Sequence, residues 1–416
     1  MIPLAKPFLG REEVRAARDV ILSGWVTQGP KVREFENAFA SYVGAKYACA
    51  VSSCTTALHL ALLTVGVRPG DVVITVSHSF IATANAIRHC GAEPVFVEID
   101  PETYNMSPES LEACLVQDCE RVRDRLYYKK VARLMRGESP LRYFSAHQRG
   151  RADIRPGRVA AVMPVHQMGM PCHLRAILSI SRKFHLPLIE DAACAIGSEI
   201  FLNRKWEKIG KPHGDIACFS FHPRKLVTTG DGGMLTTKNR EYDRTFRLLR
   251  QHGMSVSDVQ RDRTKRIIFE EYLMTGFNYR MTDIQAAIGL EQLNKLPAMI
   301  SERRRLASLY AERIKDIAWL QHPLEPAGCH SNWQSYPVKI LRNAPLNRNQ
   351  IMRRLMNLGI STRRGIMNAH QEPAYRSGHG SLPQSEGARD QVILLPFYNR
   401  MKKEDFYDII EALENI

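Results

Sequence analysis

Two residues of the chain, Asp191 and Lys225, have the types and positions that one organic cofactor needs. Asp191 ends an apolar run over 186–190 with the pattern of a buried strand, and Lys225 lies where the next strand pattern gives way to a glycine-rich loop over 230–233. An amine there can form a Schiff base with an aldehyde, while the carboxylate can keep a ring nitrogen protonated so that the ring accepts carbanion electrons. The pairing predicts a pyridoxal 5'-phosphate (PLP) site in which both residues are catalytic.

Residues elsewhere in the chain offer a phosphate site and a ring-stacking group. Thr55 and Thr56 begin an apolar helix pattern. Hydroxyl groups and free amides at a helix N-terminus bind phosphate, although they serve equally as a plain helix cap. Ser220 adds a hydroxyl group, and Phe80 follows a strand pattern, where it would either stack on the pyridine ring or belong to the core.

The protonation state of Lys225 matters because only a neutral amine attacks an aldehyde. Burial and the cationic neighbours His222 and Arg224 are expected to lower the pKa of Lys225. On the preceding strand, Glu190 is expected to point away from Asp191 and to have a structural role.

These residues can form one site only if the fold brings the ends of several strands together. The first part of the chain has the alternating strand and helix patterns of such a fold. From about 45 to 237, apolar strand-like runs alternate with helix patterns such as 55–65 and 173–184. Near-continuous apolar runs are typical of strands covered by helices on both faces, so the pattern predicts an α/β domain with a largely parallel sheet. The strand patterns are 47–51, 72–76, 94–99, 159–165, 186–190, 216–221 and 234–237.

The pattern changes after about residue 240 and predicts two domains. Residues 1–250 are expected to form a large PLP-binding α/β domain with a basic insertion at about 118–157. Residues 251–416 are expected to form a helical linker and a small α+β domain, with linker helices at 283–296 and 302–314.

The insertion at 118–157 carries about half of the excess positive charge. Between Cys119 and Arg158 there are twelve Lys and Arg but four Asp and Glu, and the net charge of all 416 residues is +15. The first part of the insertion has the spacing of an amphipathic helix, and the stretch over 147–153 is polar. Such a segment is either an excursion on the rim of the sheet, or a substrate lid or partner-docking element.

The remaining composition indicates a globular protein with no membrane span. The chain is 44% hydrophobic and 24% charged, and no apolar run approaches the length of a transmembrane helix. Its start is too short and polar for a secretory signal, so a cytoplasmic location is expected. The nine cysteines form no CxxC pair, which predicts reduced thiols and no metal site.

Several runs of sequence resemble the DegT/DnrJ/EryC1/StrS family of PLP-dependent sugar aminotransferases, and they follow one another along nearly the whole chain. The resemblance implies the type I PLP-dependent transferase fold, with a mostly parallel seven-stranded sheet between helices and a smaller α+β C-terminal domain. Beside the Asp191 and Lys225 runs, the similar segments are 24–30, 53–61, 164–169, 249–253, 278–287, 363–367 and 394–396.

The resemblance also implies a role for each matching site residue. Lys225 would bind the cofactor covalently and, once released, would carry the proton between cofactor and substrate carbons. Asp191 would pair with the ring nitrogen. The other cofactor contacts would be Thr55, Thr56 and Ser220 at the phosphate, Phe80 on the ring and Cys194 near the phenolic oxygen.

Three further residues are assigned by the resemblance alone. Asn278 would reach the phosphate from the other subunit, which requires a homodimer with shared active sites, and Trp25 and His166 would lie near the cofactor or substrate. Two positions depart from the family pattern. Cys54 replaces the glycine that usually precedes the phosphate threonine, which narrows the backbone freedom there. Cys194 replaces a residue that is often Gln or His, and because a thiol is a weak hydrogen-bond partner, a different tuning of the cofactor is expected.

The expected function is transfer of an amino group from an amino acid, with L-glutamate as donor, to the keto group of a nucleotide-linked sugar. The cofactor would pass through its pyridoxamine 5'-phosphate form, and the product would enter amino-sugar biosynthesis for a cell-surface polysaccharide or a secondary metabolite. One alternative is an aminotransferase acting on a keto-sugar acid or an aminocyclitol ketone. Another is a deoxysugar dehydratase of the same fold, but such relatives carry histidine at the position of Lys225.

A non-catalytic regulatory protein that binds nucleic acid through its basic segment is an alternative of another class. The sequence has no helix-turn-helix pattern and no interleaving of aromatic and basic residues that would favour it.

Overall fold

Helices and strands alternate through most of the computed structural model, which describes residues 1–144, 155–256 and 269–416. The α-helices are α1 (Arg11–Ser23), α2 (Pro30–Val43), α3 (Cys54–Thr64), α4 (Ala82–His89), α5 (Pro108–Gln117), α6 (Val131–Leu134), α7 (Leu174–Phe184), α8 (Arg240–Leu249), α9 (Asp283–Ile314), α10 (Arg348–Asn357), α11 (Pro383–Gln391) and α12 (Lys403–Glu414). The β-strands are β1 (Tyr47–Val51), β2 (Val72–Val76), β3 (Glu93–Val97), β4 (Cys119–Val122), β5 (Arg125–Tyr128), β6 (Val159–Met163), β7 (Ile189–Asp191), β8 (Glu199–Leu202), β9 (Lys205–Lys208), β10 (Ile216–Ser220), β11 (Gly233–Thr237), β12 (Leu320–Gln321), β13 (Cys329–His330), β14 (Tyr336–Ile340), β15 (Arg363–Arg364) and β16 (Val392–Leu395).

The central sheet has the strand order β1–β11–β10–β7–β6–β2–β3. Its two halves meet through parallel bridges from Val162 to Leu188 and from Val165 to Asp191. All its strands run parallel except β11, which is antiparallel to β1 and β10. This order confirms the predicted mostly parallel seven-stranded sheet.

Helices cover both faces of this sheet, which explains the near-continuous apolar strands. In β2, Val72 and Ile74 enter one apolar core, while Val73 between them enters another. The first core contains residues of α2, α5, α7 and α9, and the second contains much of α3. Since both faces are buried, alternation of polar and apolar residues is lost.

The C-terminal part has its own antiparallel sheet in the order β12–β14–β16–β15. A separate core forms on it and includes Tyr310, Tyr336, Phe397 and Leu413. Helix α9 contributes to both cores, with Leu293 in the first and Tyr310 in the C-terminal one. The division at residue 250 stays a prediction.

The predicted break between two linker helices is wrong, because α9 runs without interruption from Asp283 to Ile314. Pro297 lies inside the helix and removes one backbone donor. Buried contacts on both sides of it, made by Leu296 and Met299, keep the helix intact.

The amphipathic helix predicted at the start of the basic insertion is also wrong. The chain forms the hairpin β4–β5, closed by the two residues Arg123 and Asp124, and only four residues become helical in α6. Arg123 has a φ of 56°, a left-handed conformation typical of such tight turns. Tyr127 bridges Arg158 at the start of β6, so the sheet edge favours strand pairing.

The described part of the insertion packs on the rim of the sheet. Leu134 and Leu141 are buried in the first core, and the ring of Phe144 lies against Gly70. The polar stretch predicted at 147–153 lies outside the described residues. None of the helices in the described ranges combines the length and the apolar character that a membrane span needs.

Candidate active site

A cavity of about 630 Å³ opens at the carboxyl ends of the parallel strands, where open α/β sheets place their ligands. Its wall also includes residues of the C-terminal part, among them β15 and the loop at 334–335. The structure brings six of the predicted site residues to this cavity, namely Thr55, Phe80, Asp191, Cys194, Ser220 and Lys225. No described residue of 118–157 lines it.

Asp191, the last residue of β7, is 3% exposed and forms no salt bridge with any described residue. Its Oδ2 accepts a hydrogen bond from the Thr83 hydroxyl at 2.8 Å, and its Oδ1 accepts one from the Ala193 amide at 3.2 Å. Burial raises the pKa of Asp191, although these two hydrogen bonds and the charge of Lys225 act in the opposite direction. A buried carboxylate of this kind suits a cationic group on a ligand.

The Lys225 amine lies 2.9 Å from the sulfur of Cys194, to which it donates a hydrogen bond. Burial lowers the pKa of Lys225, but Cys194, Cys54 and Asp191 outweigh it, so the pKa is raised above its ordinary value. The expectation of a lowered pKa from cationic neighbours is therefore wrong for the chain without ligand. The charges of Arg224 and His222 are not among the largest influences on the pKa of this amine.

The N-terminus of α3 faces the cavity through Ser53, Cys54 and Thr55. Thr56 completes the helix cap instead, since its amide donates to Ser53 Oγ at 3.1 Å and its hydroxyl donates to the Ser53 carbonyl at 2.7 Å. A Cβ at Gly233 would lie 2.4 Å from the Ser53 carbonyl carbon, so glycine allows β11 to approach this turn closely. Of the first-turn amides of α3, those of Cys54 and Thr55 remain available for an anion.

Phe80 and Ser220 lie on different walls of the cavity. Phe80 is 61% exposed, which excludes a core role, and its ring is free to cover a ligand. Ser220 ends β10 opposite Gly233 of β11, and Gly233 lies against Ser53 at the start of α3.

Besides Thr56, three predicted residues do not line the cavity of their own chain. Both ring nitrogens of His166 form hydrogen bonds inside the protein. Nε2 lies 3.2 Å from the Glu190 carboxylate, and Nδ1 accepts a hydrogen bond from the Cys172 amide at 3.1 Å. Trp25 donates from its indole to the Gln28 carbonyl at 3.3 Å. Asn278 is exposed, accepts a hydrogen bond from the Arg280 side chain and does not line this cavity.

Glu190 has the structural role predicted for it. Besides the contact with His166, its Oε1 accepts hydrogen bonds from the amides of His213 and Gly214 at 2.9 and 2.8 Å. The Glu190 and His166 side chains are fully buried, and the network supports the strand that ends in Asp191.

Sequence reasoning missed several residues that the fold brings to the site. Thr83, in the first turn of α4, holds the Asp191 carboxylate from a distant position in the chain. Arg224, Gln334 and Arg363 also line the cavity. Arg224 and Arg363 lay within noted sequence runs, but nothing local indicated that they would face one cavity.

The residues present fit PLP. The buried Asp191 carboxylate would meet the protonated ring nitrogen, Lys225 would meet the aldehyde, and the amides of α3 would meet the phosphate. All three groups lie on one cavity at one edge of the sheet.

Comparison with known proteins gives a consistent result. The model of the DegT/DnrJ/EryC1/StrS aminotransferase family matches residues 7–120 and 148–414. The chain is 34% identical to an uncharacterized protein of Methanocaldococcus jannaschii and 33% identical to the spore coat polysaccharide biosynthesis protein SpsC of Bacillus subtilis, each over 100% of this chain and 97% of the relative. Among solved structures, the aminotransferase TlmJ from Streptoalloteichus hindustanus is similar with a TM-score of 0.81 and 30% identity, over 100% of this chain and 98% of that chain.

The fold, the cavity and these relatives together define a PLP-dependent aminotransferase of the type I fold. The chain belongs to the DegT/DnrJ/EryC1/StrS aminotransferase family. The predicted family, fold class, enzyme class and cofactor are therefore confirmed. The family match leaves out residues 121–147, which are most of the predicted insertion.

Proposed function

We propose that the protein transfers the amino group of an amino acid, L-glutamate, to the keto group of a nucleotide-linked sugar. The observation that carries the proposal is the position of Lys225 and Asp191 on one cavity, with the N-terminus of α3 beside them. The relationship to SpsC supports amino-sugar synthesis for a cell-surface polysaccharide, because the name of that protein refers to spore coat polysaccharide biosynthesis. A secondary metabolite is the other destination, and the reaction would take place in the cytoplasm.

Bound PLP would supply an electron sink for the substrate carbanion. Asp191 would keep the ring nitrogen protonated, and Thr83 and the Ala193 amide hold its carboxylate in place. Lys225, once free, would move the proton between the two carbon atoms. The Cys194 sulfur lies 2.9 Å from the Lys225 amine and would hold this amine beside the cofactor while it is not bonded to it.

The site is proposed to be completed by a second copy of the chain. Beside Asn278, the side chains of Phe269, Tyr272 and Leu273 are 88%, 64% and 51% exposed, which is unusual for apolar groups on a monomer. A homodimer that covers them would place Asn278 near the partner's phosphate site. Trp25 lies in the loop after α1 and does not line the cavity of its own chain. Its contact with the substrate stays a prediction, which requires that the Trp25 loop of one subunit lies beside the cavity of the other.

Replacing Asn278 by alanine is expected to weaken PLP retention about tenfold, because one hydrogen bond to the phosphate is lost. The measurement is the PLP dissociation constant by absorbance titration, with dimerisation followed by gel filtration. Asn349→Ala, an exposed change on α10, is the matched control. Unchanged PLP affinity in an intact Asn278→Ala dimer would remove this residue from the site.

The donor and acceptor can be tested by colour. L-Glutamate is expected to remove the visible band of the PLP-loaded protein as pyridoxamine 5'-phosphate forms, and a nucleotide-linked keto sugar is expected to restore it. The acceptor can also be identified in the reverse direction, without its unstable ketone. Nucleotide-linked amino sugars are screened, and the one that removes the visible band of the PLP-loaded protein is the product of the reaction. Response only to a keto-sugar acid or an aminocyclitol ketone would replace the proposed acceptor. A colourless protein that retards DNA would favour the non-catalytic alternative.

A further inference from the structure

The Lys225 amine and the Cys194 thiol lie in contact on the wall of the cavity. The distance from Nζ of Lys225 to Sγ of Cys194 is 2.9 Å. Both side chains line the cavity, and both residues are half-buried, so a small molecule that enters the cavity can reach the two groups together. Because the family often has Gln or His at position 194, this contact is a property of this chain rather than of the family pattern.

Cys194 is the more accessible of the two cysteines that line the cavity. The other, Cys54, is 8% exposed, and burial raises its pKa well above the ordinary value, which keeps it in the less reactive thiol form. Seven of the nine cysteines are buried, and Cys329 is the one besides Cys194 that is half-buried. Cys329 belongs to β13 and does not line the cavity, so an oxidant inside the cavity would act on Cys194.

Oxidation of a thiol beside an amine can join the two groups covalently. Hydrogen peroxide converts the thiol into a sulfenic acid and is reduced to water. The amine nitrogen then attacks the sulfur and forms a sulfur–nitrogen bond, while the sulfur–oxygen bond breaks. The hydroxyl group leaves with one proton of the amine as a second molecule of water. The product is a sulfenamide, and the two electrons lost by the thiol have reduced the peroxide.

The geometry of the pair suits this attack. The amine already lies within reacting distance of the sulfur, and two groups held in place by the fold react much faster than the same groups free in solution. Burial lowers the pKa of Lys225, whereas Cys194, Cys54 and Asp191 raise it. Conversion of Cys194 into an uncharged sulfenic acid would remove one of the raising influences and so favour the neutral amine that attacks.

We infer that Cys194 and Lys225 are a modification site, at which peroxide joins the two side chains of the cofactor-free protein in a reversible sulfenamide bond. The bond would occupy the amine that meets the PLP aldehyde, so the oxidised protein could not attach the cofactor. Two molecules of a small thiol would reverse it by forming a disulfide and restoring the Cys194 thiol and the Lys225 amine. The bond depends on the contact alone, whereas its effect on the cofactor rests on the proposed function.

The test treats the full-length protein, with and without PLP, with hydrogen peroxide and follows its mass. The cofactor-free protein should become lighter by about 2 Da, and peptide mapping should find the Cys194 peptide joined to the Lys225 peptide. The visible band that forms when PLP is added should fall in proportion to the joined fraction, and dithiothreitol should restore it. The PLP-loaded protein should give much less of the joined peptide, because its Lys225 amine is already bonded.

Cys194→Ser should form no joined peptide, whereas Cys329→Ser, the matched control, and Cys54→Ser should form it as the original protein does. The inference is overturned if Cys194 remains a thiol, if it joins Cys54, if it is oxidised further while Lys225 stays free, or if the joined pair retains an oxygen atom. Failure of the proposed function is distinguishable, because it would appear as an untreated protein that forms no bond between PLP and Lys225.

Discussion

Replacing Lys225 by alanine is expected to lower the transamination rate by more than about a thousandfold, because covalent attachment and the proton carrier are lost together. The fold should survive, since the Lys225 side chain lines the cavity and, among the described residues, its amine donates a hydrogen bond only to Cys194. The rate is measured with L-glutamate and the acceptor identified in the colour screen. The visible band of the bound cofactor should change, because its aldehyde would no longer be joined to the protein.

Lys238→Ala, an exposed change at the end of β11, is the control for removal of a lysine. Circular dichroism and gel filtration establish that the Lys225→Ala protein is folded. A small amine added to that variant is expected to restore part of the rate by replacing the lost base. Full turnover by Lys225→Ala without added amine would contradict the role of this residue.

Replacing Asp191 by asparagine is expected to lower the rate by about two to three orders of magnitude, because a neutral amide cannot keep the ring nitrogen protonated. The shape of the side chain is preserved, and Thr83 remains beside it. Stopped-flow loss of colour with L-glutamate measures the effect on the first half-reaction. Asp215→Asn serves as a control away from the cavity, because the Asp215 carboxylate, just before β10, accepts a hydrogen bond from the Leu188 amide.

The pH dependence of PLP binding provides a second test of Asp191. Burial raises the pKa of this carboxyl group, so in the cofactor-free protein it takes up a proton at a higher pH than an exposed aspartate. Pairing with a protonated ring requires the ionised carboxylate, and PLP affinity should therefore fall as pH drops through that raised pKa. Asp191→Asn should lose this dependence. The same fall in both proteins would mean that another group controls binding.

The parts of the fold that follow from local pattern were predictable. Strands such as β1 and β2 lie between helices on both faces, and their apolar runs were visible in the sequence. Asp191 and Lys225 could be identified because each lies at a strand end beside a distinctive turn. The position of Thr83 on Asp191 was not predictable, since it depends on how α4 and β7 meet across the sheet.

The wrong predictions concern the start of the insertion, helix α9 and the pKa of Lys225. Each depends on contacts between residues that are distant in the sequence. The start of the insertion has helical spacing, but pairing of Tyr127 with Arg158 at the sheet edge favours the hairpin. The separate helix patterns at 283–296 and 302–314 predicted a break between them, but burial on both sides of Pro297 outweighs its one missing hydrogen bond. The raised pKa of Lys225 has the same origin, because Asp191 at the end of β7 and Cys194 just after it act on the amine from a distant part of the chain.

Locating the cofactor bond on the chain tests the central claim most directly. The PLP-loaded protein is reduced with borohydride, digested, and its peptides are examined by mass spectrometry. We expect the reduced pyridoxyl group on the peptide that contains Lys225 and on no other lysine. A pyridoxyl group on a different lysine, with the Lys225 peptide unmodified, would contradict the account.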